Sequence, residues 1–198
     1  MKPEKIALFG GSFDPVHRAH IGIAEKAQST CQLDRVIFVP SPQSPHKDDA
    51  PRATAEQRVE MLRLATAGFA WAEISTWELD RAAETETPAY SWITASHFAE
   101  SFPGAKLHWI LGSDQWNIID TWSRPEVLAK LLTFIVFPRG DEPRKMAGFS
   151  HETIDFSIDG SSTEARRLLA NGRSPDDLLP EIVGEFIEKQ RLYETSAH

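Results

Sequence analysis

The order of apolar runs, glycine turns and helical stretches in this chain predicts an α/β protein: an open, mainly parallel sheet with helices on both faces. Three observations carry that expectation. Residues 6–9 (IALF) form a short apolar run that stops at Gly10-Gly11. Residues 36–39 (VIFV) are a continuous apolar run closed by Pro40, as a strand buried on both faces would be. Residues 107–111 end at Gly112, and residues 132–137 are closed by Pro138-Arg139-Gly140. Helical patterns separate these runs, so the opening unit reads as β-α-β with parallel strands. A length of 198 residues fits one domain over 1–198, whose C-terminal helical part covers about 160–193.

The first strand feeds its helix through GGSFDPVHRAH. Gly10 and Gly11 let the backbone approach an anion, and a helix start aims unpaired N–H groups and the positive end of its dipole at it. A helix is expected over residues 20–27, with Ile21, Ala24 and Ala27 or Ile23 facing inward. His17 and His20 are three apart, which sets them on one face. After the second strand, residues 41–53 (SPQSPHKDDAPRA) carry three prolines and no periodicity, and so read as a loop. That loop leaves the carboxyl end of a strand, the edge where open α/β sheets bind ligands. His46 and Lys47 are therefore either ligand-facing or simply solvated.

Thr54 opens the next helix through a capping box with Gln57; Val59, Met61 and Leu62 supply its buried side, and Arg58 is expected on the surface. Residues 71–75 read as a weak strand, a polar run over 82–88 leads to Tyr90, and residues 91–98 read as a helix. Asp114, just after Gly112, is open to two roles, accepting hydrogen bonds from ribose hydroxyls or capping the next helix. Trp116 and Trp122 are either stacking platforms or core. Residues 125–131 form a short helix, and residues 141–157 are too polar and broken to assign. Ser161, Ser162 and Thr163 then open a helix that stops at Asn171-Gly172. They either cap it or form a second anion site, with Arg166 one turn further on. A last helix over 180–189 turns Ile182, Val183, Phe186 and Ile187 inward.

The formal charge of −8 argues against a general basic surface for nucleic acid. A polyphosphate site would have to concentrate His17, His20, His46, Lys47, Arg139 and Arg166 at one mouth. The single cysteine, Cys31, excludes an internal disulfide framework and reads as a small apolar residue near a helix end. No stretch approaches the roughly 18–20 apolar residues of a membrane span, and the N-terminus enters a strand without a signal-peptide pattern. A cytoplasmic chain with neither membrane nor nucleic-acid partner is expected. The glycine turn lacks the spacing of a P-loop or of the ordinary dinucleotide fingerprint, and there is no nucleophile elbow. Zinc at His17 and His20 would need Asp14 or His46 as well, so no protein metal ligand is assigned.

GSFDPVHRAH resembles the GxFDPxHxGH signature of the nucleotidyltransferase superfamily, and GSSTEARR resembles that superfamily's ISSTxxR-type motif. PSPQSPHK at 40–47, GSD at 112–114 with Trp122 behind it, FPRG at 137–140 and the ending PEIVGEFIEKQRLY narrow the resemblance to bacterial nicotinate mononucleotide adenylyltransferases. It spans nearly the whole chain. It implies a Rossmann-like nucleotidyltransferase fold and adenylyl transfer from ATP, with Mg²⁺, to a phosphorylated small-molecule acceptor, nicotinate mononucleotide, giving nicotinate adenine dinucleotide and pyrophosphate. By resemblance His17, His20, Lys47 and Arg166 are catalytic, and Gly10, Gly11, Ser12, Phe13, Gly112, Asp114, Ser161 and Ser162 bind ATP. His46, Tyr90, Trp122 and Arg139 would bind the acceptor. Ala19 stands where the family has glycine, and Ile93 where it has an acid. Nicotinamide mononucleotide or phosphopantetheine as acceptor, a non-catalytic nucleotide binder, and homo-oligomerisation are left open.

Overall fold

The computed structural model describes residues 2–42, 51–85, 90–140 and 142–194. His46 and Lys47 lie outside the described residues. In chain order the elements are β1 (Lys5–Gly11), α1 (Arg18–Cys31), β2 (Arg35–Pro40), α2 (Ala55–Thr66), β3 (Ala72–Ile74), α3 (Trp77–Glu84) and α4 (Ser91–Ser101). There follow β4 (Lys106–Gly112), α5 (Ser113–Trp116), a 3₁₀ turn (Ile119–Thr121), α6 (Pro125–Leu131), β5 (Leu132–Phe137), β6 (Ser150–Thr153), α7 (Ser162–Ala170) and α8 (Glu181–Gln190).

The strands make one sheet in the order β3-β2-β1-β4-β5-β6, every pair parallel. Parallel register sets Gly11 beside Pro40 and Gly112 beside Phe137, so the four central strands end along one edge. Alternation along the strands feeds two cores. Ile6, Leu8, Ile37, Val39, Trp109 and Leu111 meet Ala95, Phe98 and Leu128 on one face. Ala7, Phe9, Phe38, Ile110 and Ile135 meet Ala24, Ala27, Met61, Leu62, Val183 and Ile187 on the other. Each such aliphatic side chain, fully withdrawn from water, contributes about 1.5–3 kcal/mol of hydrophobic stabilisation.

The expected capping box of α2 is present, with Gln57 N–H donating to Thr54 Oγ1 at 3.3 Å and Thr54 N–H to Gln57 Oε1 at 2.9 Å. Several local readings change. The run WELDRAAE is a helix, α3, and the unassigned stretch contains the edge strand β6. Arg58 is buried at 2% exposure rather than on the surface. Ile182 is exposed, while Val183 and Ile187 of α8 are buried and Phe186 packs partly buried against the same core. Trp116 is core, and its Nε1 donates to the Arg144 carbonyl at 2.8 Å. Among the described residues no helix is long and apolar enough to cross a membrane.

Candidate active site

A cleft of about 570 Å³ opens at the carboxyl ends of β1, β4 and β5. This is the crevice where open parallel sheets bind ligands, because strand ends and helix starts converge there. Its floor is the glycine turn. A Cβ on Gly11 would sit 3.0 Å from the Phe13 ring, which is packed beneath it at a positive φ of 47°. Gly10, Gly11 and Ser12 line the cleft, whereas Phe13 is buried against Phe9, Phe38 and His20 and shapes the turn from behind.

His17 is the N-cap of α1 and His20 its third residue. Their backbones and rings form a reciprocal box: His20 N–H donates to His17 Nδ1 at 3.3 Å, and His17 N–H donates to His20 Nδ1 at 3.2 Å. The rings stack at 3.6 Å with 16° between planes, and both face the cleft. A ring whose Nδ1 accepts a hydrogen bond carries its proton, when neutral, on Nε2. Two satisfied helix-start N–H groups thus fix two Nε2–H donors. Burial, reinforced by the Arg139 charge, pulls the His17 pKa down to about 4, so this donor is neutral at pH 7.

The remaining predicted residues divide into three groups. Gly112, Asp114, Trp122 and Arg139 line the cleft with the histidines. The N-cap of α5 is Gly112, which removes the capping role for Asp114 and leaves its carboxylate on the cleft wall. Arg139 is anchored through its N–H, which donates to Ser113 Oγ at 2.7 Å. Next to the cleft-lining Gly160, Ser161 caps α7 by accepting the Glu164 N–H at 3.3 Å, and Ser162 Oγ donates to the Pro15 carbonyl at 3.0 Å. Arg166 Nη1 donates to the Asp14 carbonyl at 2.5 Å and lies 3.7 Å from its carboxylate. The second helix start is thereby bolted to the first. Tyr90 stands outside the cleft as the N-cap of α4, and its neighbour Ser91 lines it.

Sequence reasoning missed the groups that make the cleft rigid. Asp14, weighed only as a zinc ligand, accepts from Ala53 N–H (3.0 Å) and Tyr193 Oη–H (2.7 Å) on one oxygen and from Arg52 N–H (2.8 Å) on the other. Arg58 Nη1 donates to the Ser12 and Ser41 carbonyls, each at 2.7 Å, tying the ends of β1 and β2. Glu78 lines the cleft yet is only 5% exposed, with Thr94 Oγ1 donating to it at 2.6 Å. Burial raises its pKa to about 7, and the helical spacing of WELDRAAE was the signal that could have found it. Burial and Glu152 push the Cys31 thiol up to about 11, which rules it out as a nucleophile at neutral pH.

The arrangement offers glycine N–H groups, two imidazoles and a guanidinium over one crevice. It can bind and polarise phosphate without covalent participation. The chain matches the cytidylyltransferase-like family over residues 8–168. It is 37% identical, over 98% of each chain, to a protein from Gloeobacter violaceus named as a probable nicotinate-nucleotide adenylyltransferase. A protein of the same name from Staphylococcus epidermidis is 35% identical, the alignment covering 96% of this chain and 97% of that one. Among solved structures, the Plasmodium falciparum nicotinic acid mononucleotide adenylyltransferase complexed with NaAD superimposes with a TM-score of 0.78. That match covers 96% of this chain and 97% of the other at 20% identity, and so bears on the fold.

Proposed function

The chain belongs to the nicotinate-nucleotide adenylyltransferase family within the cytidylyltransferase-like proteins, and on that premise we propose that it transfers the adenylyl group of ATP to the phosphate of nicotinate mononucleotide. An oxygen of the acceptor phosphate attacks the α-phosphorus of ATP. A new P–O–P bond forms, the α–β phosphoanhydride breaks, and pyrophosphate leaves with the electron pair. The products are nicotinate adenine dinucleotide and pyrophosphate. The acceptor phosphate has a second pKa near ~6 and is largely ionised at neutral pH, so no general base is required. Catalysis is then positioning and charge stabilisation.

In this reading the N–H groups around Gly10, Gly11 and Ser12 and the Nε2–H donors of His17 and His20 bind the ATP phosphates, with His20 stabilising charge at the α-phosphate. Ser161, Ser162 and Arg166 hold the triphosphate tail with help from Lys47, while Gly112 and Asp114 meet the adenosine ribose. Trp122 stacks on the pyridine ring, with His46 and Arg139 around the acceptor. ATP enters as its magnesium complex, the ion counted with the substrate rather than assigned to protein ligands. Residues 1–198 act as one domain, its part from about 160 to 193 carrying the second phosphate motif.

The observation that carries the proposal is the stacked histidine pair that lines the cleft, the Nδ1 of each ring held by the backbone N–H of the other residue. The test is pyrophosphate release from ATP with a panel of three acceptors: nicotinate mononucleotide, nicotinamide mononucleotide and phosphopantetheine. Release is expected with the first. Preferential release with another acceptor would reassign the acceptor, and ATP binding without release from any would identify a non-catalytic binder.

A further inference from the structure

The wall of the cleft opposite β4 includes Phe156, Ile158, Asp159 and Gly160, which run into the start of α7. This segment lies against small residues of α1. A Cβ on Gly22 would be 3.0 Å from Ile158 Cδ1, and Lys26 stands 5.9 Å from the Phe156 ring centroid. Closest of all is the approach at Gly160. A Cβ there would lie 2.4 Å from Ala19 Cβ, 2.9 Å from His17 Nδ1 and 3.1 Å from His17 Cε1. Its φ is outside the left-handed region, so glycine is not required for conformation. What excludes a side chain is space alone.

The obstacle has two parts of different stiffness. Ala19 Cβ is fixed to the backbone of α1 and is 3% exposed, so it cannot retreat. The His17 imidazole can turn, but turning breaks the hydrogen bond from His20 N–H that holds it. Ala19, which departs from the GxFDPxHxGH signature, meets Gly160 at this contact. The motifs the chain resembles carry glycine at position 19 and isoleucine at position 160; here the residues are alanine and glycine.

We propose that positions 19 and 160 share one methyl-sized space between the two phosphate-facing helix starts, and that Gly160 is a positioning residue that lets the α7 loop close without displacing His17. The inference rests on the ATP-site reading above for its consequence, since a displaced His17 would take its Nε2–H off the phosphates. It also accounts for Ala19: the extra methyl is accommodated because the opposite residue has no side chain.

The experiment is a double-mutant cycle of wild type, Gly160→Ala, Ala19→Gly and the double variant. Binding of ATP with Mg²⁺ is measured by titration calorimetry without acceptor, and thermal unfolding is measured alongside. Gly160→Ala is expected to weaken ATP binding at least tenfold, and adding Ala19→Gly to recover at least tenfold of it. A double variant that binds ATP no better than Gly160→Ala overturns the shared space. A Gly160→Ala variant that melts lower but binds ATP as wild type does overturns the positioning role. The function reading fails separately, if the wild type binds ATP yet releases no pyrophosphate with any acceptor.

Discussion

Replacing Glu78 with glutamine should leave stability at pH 4.5 nearly as it was and raise it at pH 8. Glu78 is 5% exposed, accepts one short hydrogen bond from Thr94, and is neutralised only weakly by Arg81. Burial outweighs both and lifts its pKa from 4.5 to about 7. Below pH 4.5 the group is protonated whether the chain is folded or not, and it costs nothing. Between 4.5 and 7 the unfolded chain releases the proton while the folded chain keeps it, so stability falls as pH rises. Above 7 both forms are ionised and the full penalty stands. At about 1.4 kcal/mol per pH unit, that window corresponds to about 3 kcal/mol. Glutamine still accepts from Thr94 and does not titrate. Urea unfolding of both proteins between pH 4.5 and 8 gives the difference directly. It should grow in the variant's favour by about 3 kcal/mol and level off above pH 7. A difference that stays constant across the window, or grows the other way, refutes the burial argument.

His20→Asn keeps an acceptor for the His17 N–H but loses the Nε2–H, so pyrophosphate release should fall at least about tenfold, or about 1.4 kcal/mol of barrier, at an unchanged melting temperature. Unchanged turnover would remove His20 from the mechanism. Tyr193→Phe deletes one donor to the buried Asp14 carboxylate and should cost about 1–3 kcal/mol in urea unfolding. A cost near zero would mean that Tyr193 does not hold Asp14.

The four central strands were legible because a strand buried on both faces must be continuously apolar and must stop where the chain turns. The glycine turn and the histidines were legible for a related reason: their chemistry is written within a few residues. Even so, His17 lies outside the helix, and its pairing with His20 comes from capping rather than from a shared helical face. β6 was hidden because an edge strand with three of its four residues exposed has no apolar signature. α3 was hidden because its buried member is an acid, and Ile182 misled because an apolar residue need not lie on the buried stripe. Asp114 follows a strand-glycine turn, but the cap went to Gly112, whose backbone is already extended there.

The frame of the cleft was illegible for a deeper reason, since its bonds join residues 17 to 179 positions apart. Arg58 illustrates what they do. Burying a guanidinium is costly, and here burial lowers its pKa despite the Asp14 charge. Two carbonyls at 2.7 Å offset part of that cost, and both belong to loops that leave strand ends at the cleft. Asp14 then fastens residues 52 and 53, Tyr193 and, through its carbonyl, Arg166 to the same turn. The charged groups at this junction are therefore spent on holding loops, leaving the imidazoles of His17 and His20, Arg139 and the remaining N–H groups of Arg166 for an anion. A net acidic chain can bind a polyphosphate on those terms, because what it offers is a set of donors fixed before the ligand arrives.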